Sequence, residues 1–386
     1  MNETPFATLG ARLIEFINVG TANAKAGAAA HDRPASTDEA FNRLALDLFG
    51  LQYAQVLPYR RFCEARGVSP LTVPHWSQLP AVPTPAFKEL DLTSLDPDRR
   101  PRVFRSSGTS AQRPSRHYHD SESLGFYEAS LLPWFRLHLL PDARQDLRFL
   151  ALTPPPDQVP HSSLAHMIGA VVRELSDGTA VFAGLPGQDG AWTLASDLAL
   201  AALRCAVEQA RPVCILGTTF HLVHLLDDLA DRGWRCWLPE GSRVMETGGY
   251  KGRSRALSQS ELHRLITQGL GIPASHCVGE YGMTELSSQA YDAVAGADAV
   301  ATGRRALGPA RRFCFPPWAR TQVILSETGE VAGEGETGLL RVYDLANIRS
   351  VLAVQTEDLA VRCGDGFSLL GRVSDAEPRG CALLAA

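Results

Sequence analysis

A chain of 386 residues, 45% apolar, can bury a large core, and its length fits one big domain or two ordinary ones. With 42 acidic against 37 basic residues and a net charge of -5, it carries no global basic field, so nucleic acid is excluded as a default partner and any anion site must be local. Its eight cysteines show neither a CxxC pair nor a Cys/His spacing suited to zinc, its N-terminus does not read as a secretory signal, and no stretch approaches the roughly 20 apolar residues of a membrane span; the expectation is a reduced, cytoplasmic protein.

In chain order, residues 1–75 read as a helical N-terminal region. The small-residue stretch "NAKAGAAAHDRPAS" looks loosely held, and from Ser36 or Thr37 the spacing of apolar residues predicts two consecutive helices through "DEAFNRLALDLFGLQYAQVLPYRRFCEARG". "VPTPAFKELDL" reads as a loop or short extended piece. Beyond it, "DLRFLALT", "PVCILGTT" and "SRVMETGG" read as buried strands, whereas "TFHLVHLLDDLADRG", closed by Gly233, and "SQSELHRLITQGLG" read as helices. This alternation predicts an α/β fold with a parallel or mixed sheet over residues 76–370. From about residue 320 to 370 the turn-rich texture predicts a β-rich, mainly antiparallel section, and residues 371–386 form a short tail.

Ligands in α/β folds gather at loops beyond the carboxyl ends of strands, and four segments fit that position. "SSGTSAQRPSRH" offers the hydroxyls of Ser106, Ser107, Thr109 and Ser110, the open backbone of Gly108 and the charges of Arg113 and Arg116, which is the chemistry of a polyphosphate cradle; the other reading is a serine-rich surface loop. It is not a Walker loop, since no GxxxxGK[ST] occurs. "ETGGYKG" permits close backbone approach at Gly248 and Gly249, or is a plain turn. "GEYGMTELSSQ" supplies Tyr281 for stacking or hydrogen bonding, Gly282 beside it, Thr284 for phosphate and Glu285 as a hard oxygen ligand for Mg2+. "QTEDLAVR" with "LLGRVSD" adds Asp358, able to accept from two sugar hydroxyls, and Arg372 as an anion contact.

Taken in this order, the four segments resemble the adenylate-forming superfamily of acyl- and aryl-CoA ligases. "VPTPAFK", "SSGTS...RH", "ETGGYKG", "YGMTEL" and the ending "GRVSDAEPRGC" are most similar to its acyl-protein synthetase branch, the fatty-acid activating component of bacterial bioluminescence reductase complexes, with phenylacetate-CoA ligases the next relatives. The resemblance spans roughly residues 80 to 386. It implies the large adenylate-forming N-terminal-type domain, with ATP and Mg2+ as cofactors and a carboxylic acid as substrate. It implies that Ser106, Ser107, Gly108, Thr109 and Ser110 handle the phosphates, that Gly248, Gly249, Tyr281 and Gly282 lie around adenine, that Thr284 and Glu285 meet phosphate and Mg2+, and that Asp358 holds the ribose.

Superfamily members carry a mobile C-terminal domain with a lysine that assists adenylate formation. This sequence stops fourteen residues after Arg372, so that domain is expected to be largely absent, and Lys88 and Lys251 are the candidate replacement cations if they are not ordinary surface lysines. The branch places an acyl-accepting cysteine near the C-terminus, which points to Cys381, with Arg379 favouring its thiolate; the alternative is an incidental thiol on a docked tail. The acyl acceptor beyond the enzyme is then a protein, a reductase or carrier, or else CoA. A CoA ligase releasing a free thioester and a non-catalytic nucleotide-binding scaffold are the rival readings; a serine hydrolase ranks low because no GxSxG elbow is present. The helix "GTTFHLVHLLDDL", with His221 and His224, is either a wall of the acyl pocket or ordinary core.

Overall fold

In the first helix, Phe6, Leu9, Leu13, Phe16 and Ile17 recur at three and four positions, which gives α1 (Pro5–Lys25) one buried stripe. The computed structural model describes residues 5–25, 35–106, 113–187, 191–248, 257–297 and 311–372. Helices α2 (Ala35–Gln55) and α3 (Leu57–Glu64) follow, the pair expected from the apolar spacing. The Gln52 amide on α2 donates to the Asn347 carbonyl at 2.8 Å and accepts from the Leu352 N–H at 2.9 Å, which ties these helices to the far end of the chain.

The short strand β1 (Val82–Pro83) leads into a single helical turn, α4 (Ala86–Glu89), where the sequence had suggested loop or extended chain. Strands β2 (Arg102–Arg105) and β3 (Arg116–His119) form an antiparallel hairpin whose tip is the hydroxyl-rich loop. Helix α5 (Ser121–Leu139) begins with an Asp120/Ser123 capping box, and β4 (Arg148–Ala151) comes next. The chain continues through α6 (Ser163–Leu175), β5 (Val181–Phe182), the small hairpin of β6 (Gly184–Pro186) and β7 (Trp192–Leu194), α7 (Ser196–Glu208), β8 (Val213–Thr218) and α8 (Thr219–Asp231). Then come β9 (Arg243–Thr247), α9 (Gln259–Leu270), β10 (Cys277–Tyr281) and β11 (Ala290–Tyr291). The β-rich section holds β12 (Ala319–Ile324), β13 (Thr337–Asp344), β14 (Ala353–Cys363) and β15 (Gly366–Arg372).

Two main sheets result. The first has the order β11-β10-β9-β8-β4-β5, parallel except for β11 at its edge. Its strands alternate between two cores: Phe149, Leu216, Met245 and Val278 face a cluster shared with α1, α2 and α5, while Leu150, Ile215, Val244 and Cys277 face a cluster built with α7, α8 and α9. Burial on both faces is what parallel strands linked by helical crossovers require. The second sheet joins β12, β13, β14 and β15 antiparallel, as the turn-rich sequence suggested, and adds β1 parallel to β14. The architecture is a mixed α/β fold, and among the described residues no helix is long and apolar enough to cross a membrane.

Candidate functional site

Tyr281 ends β10, and from there the chain turns through Gly282, Met283, Thr284 and Glu285 at the carboxyl edge of the parallel sheet. Three buried groups hold this turn by its backbone. His117 on β3 hydrogen-bonds the Thr284 carbonyl through Nδ1 at 2.9 Å. Burial drives its imidazole down to about 4, so it is neutral near pH 7 and donates the Nδ1 proton. The Asn347 amide donates to the Glu285 carbonyl at 2.9 Å. Asp344, fully buried at the end of β13, accepts from the Ser287 and Ser288 N–H groups at 2.9 and 2.8 Å and from the Ser288 hydroxyl at 2.7 Å.

The side chains of the turn then meet the other predicted segments. Tyr281 donates its hydroxyl to Asp358 Oδ2 at 2.7 Å, and Arg372 Nε donates to Asp358 Oδ1 at 3.2 Å, so the late aspartate and the late arginine are joined to the tyrosine. The Tyr281 ring sits among Phe313, Phe315 and Phe367, with ring centroids 5.3 to 6.1 Å away. Glu285 is buried; burial raises its carboxyl above the ordinary range, against the opposing pull of a hydrogen bond from the Ser115 hydroxyl and the charge of Arg372. Ser115 in turn donates its N–H to Ser106 Oγ at 2.9 Å, closing the base of the hydroxyl-rich loop. Ser106, Glu285, Tyr281, Asp358 and Arg372 therefore form one connected neighbourhood drawn from three distant segments.

Gly248 lies just past β9, next to β10 in the sheet, and its φ of +69° is the left-handed conformation that glycine adopts without strain. The Thr219 hydroxyl donates to its carbonyl at 2.9 Å. A side chain at Gly282 would run into the Glu280 carboxyl, which keeps the turn tight.

Besides Arg372, the predicted cations among the described residues are Lys88, Arg113 and Arg116. Lys88 is on α4, and its carbonyl accepts from Arg116 Nη2 at 3.4 Å. Arg116 also pairs with Asp91 at 3.1 Å, and Arg113 pairs with Glu89 at 3.3 Å. Arg113 and Arg116, like Arg372, are thus held by carboxylates in this structure. Ser107, Gly108, Thr109, Ser110, Gly249, Lys251, Arg379 and Cys381 lie outside the described residues. As for the "GTTFHLVHLLDDL" stripe, Leu222, Val223, Leu225, Leu226 and Leu229 belong to the second core cluster and His221 is buried, while His224 is exposed.

Sequence reasoning missed His117, Asp344 and Asn347, each of which acts on backbone far away in the chain. The available signal for the last two was a pair of polar residues, "YDLAN", at the end of an apolar strand run. Among the described residues no cluster of three or more His, Cys, Asp or Glu suits a metal. One carboxylate, Glu285, with Asp358 close enough to raise its pKa, fits an ion of the Mg2+ type that arrives largely ligated by water and phosphate.

Residues 34–386 match the family described as "Acyl-protein synthetase, LuxE". The long-chain-fatty-acid–luciferin-component ligase of Vibrio harveyi is 21% identical over 357 residues, covering 89% of this chain and 86% of that protein. Among solved structures, 2-hydroxyisobutyryl-CoA ligase in an open conformation with 2-HIB-AMP and CoA aligns with a TM-score of 0.63 at 12% identity, over 88% of this chain and 70% of that one. The same ligase in its thioesterification state gives 0.64 at 14% identity, over 89% and 69%. The fold is therefore that of the adenylate-forming ligases, and the match across nearly the whole sequence places this chain in the LuxE acyl-protein synthetase family.

Proposed function

We propose that this protein activates a fatty acid with ATP as an acyl-adenylate and then transfers the acyl group to a thiol, either Cys381 of its own chain or a thiol on a partner reductase or carrier protein. In the first step a carboxylate oxygen of the acid attacks the α-phosphorus of ATP and pyrophosphate leaves. In the second a thiolate attacks the acyl carbon and AMP leaves. A carboxylate is a poor electrophile because its leaving group would be oxide; esterification with AMP replaces that group with a stabilised phosphate. The enzyme's part is then to position the two reactants in line and to neutralise the charge that builds up on phosphorus.

Residue roles follow from that chemistry. Ser106, with Ser107, Gly108, Thr109 and Ser110, contacts the phosphates, and Thr284 joins them. Gly248, Gly249, Tyr281 and Gly282 enclose the adenine, and Asp358 accepts from the ribose hydroxyls. Glu285 is the protein ligand for Mg2+, which would supply charge neutralisation at the phosphates. Arg372, Lys88 and Lys251 are the cations that meet the developing charge, with Lys88 or Lys251 taking the part that a C-terminal-domain lysine plays in the adenylate-forming superfamily. The observation that carries this reading is the connected set Ser106–Ser115–Glu285 and Tyr281–Asp358–Arg372, in a chain of this family.

Incubating the protein with ATP, Mg2+ and a panel of carboxylic acids tests it. Pyrophosphate release together with an acyl mass on the protein, the mass vanishing in Cys381→Ala, is the expected result. Pyrophosphate without a mass shift moves the acceptor to a partner thiol or to CoA, and the absence of both signals across the panel would refute catalysis.

A further inference from the structure

Behind the proposed nucleotide face lies a buried polar cluster that none of the roles above uses. Glu246 on β9 and Gly279 on β10 are paired in register, and the Asp292 N–H donates to the Gly279 carbonyl at 3.1 Å, so Glu246, Gly279 and Asp292 lie side by side across three neighbouring strand segments. The first turns of α9 cover them. Gln259 Nε2 lies 2.9 Å from Glu246 Oε1 and 2.7 Å from Asp292 Oδ2. Both partners are carboxylates, which fixes the amide with its two N–H groups pointing at them. His263 Nε2 donates to the same Glu246 oxygen at 2.9 Å. The other Glu246 oxygen is 3.2 Å from the Thr219 hydroxyl, which also reaches the Gly248 carbonyl at 2.9 Å, so one proton is shared between two acceptors. Asp292 Oδ1 accepts from the Gly279 N–H at 2.7 Å.

The cluster thus runs from the Gly248 turn, through Thr219, Glu246, Gln259 and Asp292, to the backbone two residues before Tyr281. Gly279 is required by it: a Cβ there would stand 2.7 Å from Asp292 Oδ2 and 3.0 Å from Gln259 Nε2, in the space that the bridge occupies.

We infer that Gln259 is a positioning residue for the nucleotide, its amide bridging Glu246 and Asp292 so that the Gly248 turn and the Tyr281 strand end keep a fixed separation. This rests on the function proposed above, in which those two segments enclose the adenine. Without the amide, Glu246 keeps His263 and Thr219, and Asp292 keeps the Gly279 N–H and the Arg311 guanidinium at 3.4 Å, but the link between the two carboxylates is gone, and beyond the last paired residues, Thr247 and Glu280, the Gly248 turn loses that tie to the Tyr281 strand end. An error in that spacing weakens adenine recognition more than it slows the chemistry, because the backbone of Thr284 and Glu285 is held separately by His117 and Asn347.

The test uses the full chain with Gln259→Leu, which keeps the volume and removes both donors, and Thr219→Val, which keeps the shape and removes the shared hydroxyl. ATP affinity is read by calorimetry, and acid-dependent pyrophosphate exchange is run with ATP and with GTP. Gln259→Leu is expected to weaken ATP binding about tenfold and to cut the preference for ATP over GTP by a similar factor, with kcat at saturating ATP within about threefold of wild type. Thr219→Val is expected to show the same pattern at about threefold. A Gln259→Leu protein with lowered melting temperature but unchanged ATP affinity and selectivity would overturn the inference. Should that variant not fold, unchanged values in Thr219→Val would do the same. Wild type that binds ATP alongside unchanged variants removes this inference alone, whereas wild type that binds no ATP removes the proposed function with it.

Discussion

Two glutamates on adjacent strands, on opposite faces of the same sheet, meet nearly equal burial with opposite outcomes. Glu246 is 7% exposed and Glu280 6%. Burial pushes both carboxyls up, but around Glu246 the donors His263, Gln259 and Thr219 outweigh it and leave the group below the ordinary range. Glu280 has one donor, the Thr247 hydroxyl, and burial takes it up to about 7. Depth alone therefore does not decide whether a carboxyl keeps its charge here; the number of donors built around it does. Glu285, also raised and with Ser115 as its side-chain donor, resembles Glu280 more than Glu246. In the proposed site that shortage of partners is the expected state of a group waiting for a cation.

Glu285→Ala breaks the comparison most severely. If the missing partner of Glu285 is a phosphate-bound Mg2+, the variant should lose about 100- to 1,000-fold in ATP-dependent pyrophosphate exchange while remaining folded, since the carboxyl is unfavourably buried without its ligand. Exchange within a few-fold of wild type would mean that Glu285 is an ordinary buried acid.

Glu280→Gln gives the next largest effect, and it is one of pH. An acid whose value rises from 4.5 unfolded to about 7 folded stabilises the native state while protonated; that contribution is complete below 4.5 and is lost as pH rises through about 7. Glutamine cannot ionise. Urea unfolding should find the variant gaining on wild type between about pH 4.5 and about pH 7 and holding that gain above it, by as much as about 3 kcal/mol. Parallel pH curves for the two proteins would contradict the raised value.

Glu246→Gln should do the reverse. Its folded value is depressed, so its contribution is present above the unfolded value and fades as pH falls through the folded one. At neutral pH the neutral amide leaves His263 and Gln259 facing a poorer acceptor, at a cost of about 2 kcal/mol. The gap from wild type should close in acid, and a gap independent of pH would point to packing in place of charge.

These particular residues also mark what the sequence could reveal. Tyr281, Glu285, Asp358 and Arg372 were legible because turn and motif chemistry is local: "YGMTE" and the late "GR" carry their residues in fixed order along the chain. The parallel strands were legible too, through short apolar runs, and α1 could have been read as a helix from the spacing of Phe6, Leu9, Leu13 and Phe16. His117 could not, because it acts on the carbonyl of a residue 167 positions away, and nothing in "RHYHD" indicates which backbone it will meet. The same holds for Gln259, which in sequence is an unremarkable residue near a helix start and becomes significant only where two carboxylates from separate strand ends face it.

The smallest effect lies at the exposed rim, where the Arg113–Glu89 pair offers the opposite extreme to Glu246. Both side chains are well over half exposed at a separation of 3.3 Å, so the pair is worth at most about 0.5 kcal/mol and its arginine exchanges partners readily. Glu89→Gln should leave unfolding free energy within about that margin. If Arg113 meets the triphosphate, removing its competing carboxylate should lower the KM for ATP by about twofold at low salt and by less as ionic strength screens the site. A KM that rises, or one indifferent to salt, would assign Arg113 to the surface and leave the phosphates to the hydroxyl loop alone.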